Sequence, residues 1–168
     1  DLRIEVTDLP LAEITEAGVY WSTLTGMSVE PSRQAHLAAW RARSRRPLTI
    51  LDLDYRPRFW NDEVTASRAV AEVLGQADVA IGNLEECRIA VGETDPERAA
   101  DALLERGVQI AFVKQGPVGT LVKSRTERAF VPAFPVEVVN GLGAGDAFGG
   151  AVCHGLLNGW GIERIVAF

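Results

Sequence analysis

The 168-residue sequence has only two cysteines, two histidines and one methionine. Cys87 and Cys153 sit in different helical patterns, which excludes a disulfide framework or a cysteine metal site. His36 and His154 each stand alone on a helical pattern without ligand-like neighbours, so packing or exposure is expected for them rather than metal binding. No apolar run approaches the roughly 18 residues that a membrane-spanning helix needs. The opening Asp1-Leu2-Arg3-Ile4-Glu5 lacks the charged-then-apolar order of a secretory signal, and a cytoplasmic location is expected. Basic charge is also short: 17 Lys and Arg against 23 Asp and Glu leave a net charge of −6. That argues against a nucleic-acid surface, which needs a basic patch. Repeats, low-complexity tracts and linkers are missing as well, so residues 1–168 are read as one domain.

Two familiar phosphate-binding patterns are absent. Gly141-x-Gly143 would need glycine at position 146 to complete G-x-G-x-x-G, and Asp146 stands there. Lys123-Ser124 has the end of a Walker A loop, but Val122 precedes it instead of glycine.

What is present is Gly141-Leu142-Gly143-Ala144-Gly145-Asp146-Ala147-Phe148-Gly149-Gly150. A β-rich run at 130–139 leads into it. Ala144, Ala147, Phe148, Ala151, Val152, Gly155 and Leu156 then recur at the spacing of one helix face. The glycines therefore fall where a strand turns into a helix N-terminus. Backbone N–H groups there have no helical partner, the helix dipole adds partial positive charge, and glycine lets a ligand approach the main chain. Together these make an anion site suited to phosphate. Asp146 would repel that phosphate unless it has a task, and accepting the proton of an attacking hydroxyl is one that fits.

Elsewhere the pattern alternates strand and helix. Residues 1–6 look strand-like, 11–17 helical, 19–24 β, 32–46 helical, 48–53 a buried strand, 61–76 a helix capped by Asn61, and 78–82 a strand. Asp95-Pro96 caps and starts another helix that ends at Gly107, followed by a strand at 108–113. The Gly116-Pro117 pair reads as a hairpin turn into 120–123. Arg41, Arg43, Arg45 and Arg46 crowd the end of the 32–46 helix and are read as a solvated terminus whose cations complement the dipole. This alternation implies an α/β fold with a parallel sheet and helices on both faces. In such sheets ligands bind at the carboxyl ends of strands. There stand Asp52, Asp54, Arg56 and Trp60, with Arg56 able to grip a phosphate or carboxylate through two hydrogen bonds. There too is Asn83-Leu84-Glu85-Glu86, nearly a capping box.

Gly143-Ala144-Gly145-Asp146-Ala147-Phe148 resembles the second signature of the ribokinase-like (PfkB) carbohydrate kinases, D-T-x-G-A-G-D-x-F. The resemblance implies an anion hole at Gly143, Ala144 and Gly145, and a catalytic base at Asp146. Asn83-x-x-Glu86 resembles the family's N-x-x-E element, which influences magnesium and phosphate binding. Lys114, Gly116 and Gly119 stand at the T-x-G-x-x-G nucleotide loop, with Lys114 where Thr is common. Asp52-x-Asp54-x-Arg56 resembles D-x-N-x-R, which implies that Asp54 and Arg56 meet substrate or phosphate. The start of the signature departs: Asn140-Gly141-Leu142 replaces Asp-Thr-x, whose Asp often serves a monovalent cation. The longer string 51–60, with Gly26-Met27-Ser28-x-Glu30-Pro31-Ser32-Arg33, is similar to the sugar-acid kinases of inositol breakdown, the 5-dehydro-2-deoxygluconokinases. In that subgroup an acid substrate would employ one of Arg33, Arg56 or Arg58.

The resemblance thus implies a ribokinase-like parallel sheet, seen in its middle and C-terminal portion without the N-terminal sugar-binding part, the lid and the extreme C-terminus. It implies ATP with Mg2+ carried by the nucleotide, no direct metal ligand, and a sugar or sugar-acid substrate. Neither nucleic acid nor membrane is an expected partner, and a homodimer would form through the missing lid. The expected reaction takes 5-dehydro-2-deoxygluconate to its 6-phosphate. Another PfkB-type kinase (for fructose, 2-keto-3-deoxygluconate or ribose) or a non-catalytic nucleotide-binding remnant are the alternatives left open.

Overall fold

The computed structural model describes residues 2–44 and 46–168. Six strands form one sheet in the spatial order of the sequence: β1 (Tyr20–Thr23), β2 (Thr49–Asp52), β3 (Val79–Asn83), β4 (Ile110–Lys114), β5 (Gly119–Ser124) and β6 (Arg128–Pro132). The first four run parallel, in registers that set Thr23 beside Asp52, Asp52 beside Ile81 and Asn83 beside Lys114. β5 and β6 return antiparallel. The expected parallel sheet is thus extended by an antiparallel pair. The Gly116-Pro117 turn between β4 and β5 is the hairpin expected of it.

Parallel neighbours taken in sequence order need right-handed crossovers, which put every crossover helix on one face. That face carries α2 (Ser32–Arg43), α3 (Glu63–Val73), α4 (Leu84–Val91) and α5 (Pro96–Glu105). Their side chains pack on Leu51, Ala80, Ala111, Val113 and Leu121. The alternate strand residues Ile50, Val79, Ile81, Phe112 and Val122 face the other way, against α6 (Ala144–Leu157) and α7 (Ile162–Ala167). A short α1 (Leu11–Glu16) precedes the sheet. The central strands are therefore apolar on both faces, as a sheet covered on both sides requires. Gly149 lets α6 approach the sheet: a Cβ there would overlap the ring of Trp21.

Side-chain caps start three of the helices, α3, α4 and α5. The Asp62 carboxylate accepts the Thr65 N–H at 2.7 Å, and Asp95 accepts the Arg98 N–H at 2.9 Å before Pro96. The α3 cap is thus Asp62, not Asn61, because Asp62 stands three residues before the free N–H. Residues 74–76 tighten into a 3-10 turn rather than continue the helix.

Other expectations are corrected. Residues 2–6 form no strand, and Val6–Asp8 make a 3-10 turn; Asp1 lies outside the described residues. α2 ends at Arg43, because Ser44 turns left-handed at φ 46°. Arg43 is not solvated: it is 1% exposed, and its guanidinium donates to the carbonyls of Ile14, Thr15, Ala17, Pro47 and Leu48 and to the Thr49 hydroxyl. It ties α1 and α2 to the start of β2, and Arg45 lies outside the described residues. The β-rich run at 130–139 is strand only as far as Pro132. Beyond it Phe134 is 84% and Val139 94% exposed. Pro132 and Pro135 lack N–H groups for a ladder, and no strand among the described residues lies beside that segment.

Candidate active site

The carboxyl ends of β1 to β4 point to one edge, and the loop before α6 arches over it. Gly143 caps α6 at φ 82°, a left-handed conformation that glycine takes without strain. Asn140 steadies the approach by accepting the Leu142 N–H on its side-chain oxygen at 2.8 Å. The Ala144 N–H reaches the Gly141 carbonyl at 3.3 Å, while the N–H groups of Gly145 and Asp146 find no partner among the described residues. These are the unpaired donors of a helix N-terminus. Asp146 is exposed in the first turn of α6.

Two neighbouring cavities meet at this loop. The first, about 510 Å³, is lined by Thr23, Asp52, Asp54, Arg56, Glu86, Lys114, Gly141, Leu142, Gly143, Gly145 and Asp146. The second, about 330 Å³, is lined by Asn83, Lys114, Gly116, Gly119, Thr120, Ala144, Gly145 and Phe148. Lys114 and Gly145 belong to both, and the Lys114 Nζ lies 4.0 Å from where a Gly145 Cβ would stand. The second opens onto an apolar groove of about 720 Å³ between the end of β6, α6 and α7, sharing Gly116, Gly119, Thr120 and Phe148 with it. The result is a continuous trough: apolar at one end, lined by backbone and the Lys114 ammonium in the middle, and charged at the Asp146 end.

The eleven residues that the motifs give a site role line the first two cavities (Asp146, Gly143, Ala144, Gly145, Asn83, Glu86, Lys114, Gly116, Gly119, Asp54 and Arg56), whereas Arg33, Arg58 and Trp60 line neither. Asn83 and Glu86 form a full capping box. Asn83 Oδ1 accepts the Glu86 N–H at 2.9 Å, and Glu86 Oε2 accepts the Asn83 N–H at 2.7 Å. The box fixes the Glu86 carboxyl, 7% exposed, against the cavity and leaves Oε1 without a hydrogen bond among the described residues. Arg56 Nε donates to Asp54 Oδ1 at 2.7 Å, and the Thr25 hydroxyl holds the Asp54 carbonyl at 2.7 Å.

Sequence reasoning missed Thr23, Thr120, Phe148 and the apolar groove as site elements, and it left Asp52 without a role. Thr23 and Asp52 are the last residues of β1 and β2, so the strand-end rule alone would have found them. The groove is assembled from four segments (116–120, 131–135, 147–151 and 165–168) and has no local signal. Asp52 is 7% exposed, and burial pushes its carboxyl up to about 6. The Lys114 ammonium and the Asp54 N–H pull it back, and the Glu86 and Asp54 carboxylates add to the rise. Among the described residues no group of three His, Cys, Asp or Glu side chains is arranged to hold a metal ion.

Residues 15–168 match the pfkB family carbohydrate kinase. The chain belongs to this family. A 5-dehydro-2-deoxygluconokinase of Photobacterium profundum is 35% identical over 170 residues, covering 97% of this chain and 51% of that protein. The crystal structure of a PfkB protein from Polaromonas sp. JS666 superposes with a TM-score of 0.85 at 25% identity, covering 98% of this chain and 54% of that one. A putative ribokinase II from E. coli, in complex with ATP and Mg+2, superposes with a TM-score of 0.85 at 23% identity over 96% of this chain and 53% of its own. The chain spans about half the length of the curated relatives it matches. The PfkB fold accounts for the mixed sheet: four parallel strands carry the charged edge, and the antiparallel pair beyond β4 helps to wall the apolar groove. No helix among the described residues is long and apolar enough to cross a membrane.

Proposed function

We propose that the protein transfers the terminal phosphoryl group of ATP to a hydroxyl of a sugar acid, 5-dehydro-2-deoxygluconate, giving the 6-phosphate. The observation that carries this reading is the continuity of the trough, with Asp146 and the glycine loop at the end opposite the apolar groove. The groove accepts a flat base between Phe148 and the end of β6. The middle cavity takes the phosphate chain against the backbone of Gly116 and Gly119, with the Lys114 ammonium close by. The terminal phosphate then lies at the N-terminus of α6, where the Gly145 and Asp146 N–H groups have no other partner among the described residues.

The acceptor occupies the 510 Å³ cavity on the Asp146 side. The Asp146 carboxylate takes the proton of the acceptor hydroxyl as its oxygen bonds to the phosphorus. The bond from that phosphorus to the bridging oxygen breaks, and ADP leaves. Donors fixed before the reaction stabilise the charge on the transferring group without reorganising. A divalent cation bound with the nucleotide would neutralise phosphate charge. The free Glu86 Oε1 and the Asp52 carboxylate are this chain's groups in position to hold it, directly or through water. The choice of acceptor is supported by relatives at 35% and 30% identity whose names carry that substrate.

Turnover of ATP by the full-length protein, wild type and Asp146→Asn, against a panel of sugars and sugar acids tests this. The expected loss in kcat is about 10²- to 10⁴-fold, the usual contribution of a general base. Undiminished turnover in the variant would refute the role of Asp146. Activity confined to a neutral sugar would refute the substrate.

A further inference from the structure

The apolar end of the trough carries few groups that could read the edge of a base. Among the described residues, the side chains lining the groove include one polar group, the Thr120 hydroxyl, and Thr120 lines the middle cavity as well. On one side stands Phe148, whose ring meets Phe112 edge to face with centroids 6.0 Å apart. The other side is the stretch from Pro132 to Pro135 at the end of β6, exposed throughout, with the Phe134 ring 84% free. Rings on both sides suit the faces of a flat base.

The main chain of that rim adds little. Pro132 and Pro135 have no N–H, and the Ala133 N–H donates to the Val118 carbonyl at 3.4 Å. The Phe134 N–H is the rim's one donor without a partner among the described residues. A single donor pairs with N7, an acceptor that adenine and guanine share. A rim carbonyl meets a donor on either base, the 6-amino group of adenine or the ring N1–H of guanine. The Thr120 hydroxyl turns to donate or to accept. Each of these groups finds a partner on either purine. Strong discrimination needs buried polar groups that the wrong base leaves unpaired. Here the rim is exposed, so a mismatched base edge keeps its water.

We propose that the groove holds the nucleobase by stacking, with Phe134 the residue that covers it, and that GTP and ITP serve as phosphoryl donors alongside ATP. This selectivity rests on the reading above that the base of the nucleotide lies in the groove, and the test separates the two. The full-length protein, wild type and Phe134→Ala, is titrated by calorimetry without acceptor. The ligands are the magnesium complexes of ATP, GTP, ITP and UTP, and of tripolyphosphate, which has no base. Phosphoryl transfer from each nucleotide to 5-dehydro-2-deoxygluconate is then measured. Phe134 is exposed, so its truncation leaves the core intact.

In wild type, Kd and KM for ATP, GTP and ITP are expected to agree within about 10-fold, the worth of one neutral hydrogen bond. UTP, with its smaller ring, binds more weakly. Phe134→Ala weakens the three purine nucleotides together, roughly 5- to 100-fold, the range for a base stacked on an aromatic ring, and leaves tripolyphosphate unchanged. A wider preference for ATP overturns the proposal, as does a loss in the variant that tripolyphosphate shares. If ATP is turned over but Phe134→Ala binds it as tightly as wild type does, the proposal fails and the kinase reading stands. If the three purine nucleotides bind alike and weaken alike in the variant but no phosphate reaches the acceptor, the kinase reading fails and the stacking site stands.

Discussion

Asp52 offers a quantitative test of how this edge of the sheet is organised. Its carboxyl is buried at the end of β2, and its pKa rises from 3.8 to about 6 with burial as the main cause. The folded state thus favours the protonated acid more than the unfolded chain does. The resulting stability is fully present below the unfolded pKa and is lost as pH rises through the folded one. At roughly 1.4 kcal/mol per pH unit of difference, ionising Asp52 removes about 3 kcal/mol in all, most of it between pH 4 and pH 7. Asp52→Asn keeps an oxygen for the Asp54 N–H, which reaches Asp52 Oδ1 at 3.3 Å, and removes the titration. Urea unfolding of both proteins from pH 4.5 to 8 reads the difference directly, because any constant effect of the substitution cancels. The variant is expected to gain on wild type as pH rises, with the gain levelling above about pH 7. A difference that stays flat, or one that grows toward acid, would refute the account. Lys114→Met adds a control: without the opposing ammonium, the window in which wild-type stability falls should move to higher pH.

Two further substitutions examine the supports of the site. Gly149→Ala puts a methyl group into the Trp21 ring and should cost about 1–3 kcal/mol in urea unfolding; an unchanged midpoint would mean that α6 does not press on β1 there. Asn83→Ala removes the acceptor for the Glu86 N–H and should cost about 1 kcal/mol. Asn83→Asp should restore most of it, and a loss equal to that of alanine would show that the cap is not what Asn83 contributes.

Much of the candidate site was legible because its residues sit in short local motifs. The Gly143 to Asp146 run, the Asn83 to Glu86 capping box and the Gly116 to Gly119 turn each carry their conformational reason within a few residues. Asp54 and Arg56 were legible as a strand end. Arg43 was not. Its place at the end of an arginine-rich helix looks solvated, and only the folding of α1 and β2 around it supplies the carbonyls that let it be buried. The run at 130–139 misled for the opposite reason. β propensity makes an extended segment, but a strand needs a neighbour, and propensity does not say whether one is there.

Local sequence by itself determined the alternation of strand and helix, the caps at Asn83 and Asp95, and the glycine turn into α6. Each depends on hydrogen bonds or sterics that close within about four residues. Only the tertiary structure decided that β6 adds a second antiparallel strand, that Asp52 is buried beside Lys114 and Glu86, and that four separate segments enclose an apolar groove. It also decided which arginine faces the trough. Glu72 and Phe59 engage Arg33 and Arg58, and Arg56 keeps two nitrogens without a partner among the described residues. The reason is that burial, dielectric environment and pairing across strands are properties of residues brought together from afar, and no window of sequence contains them.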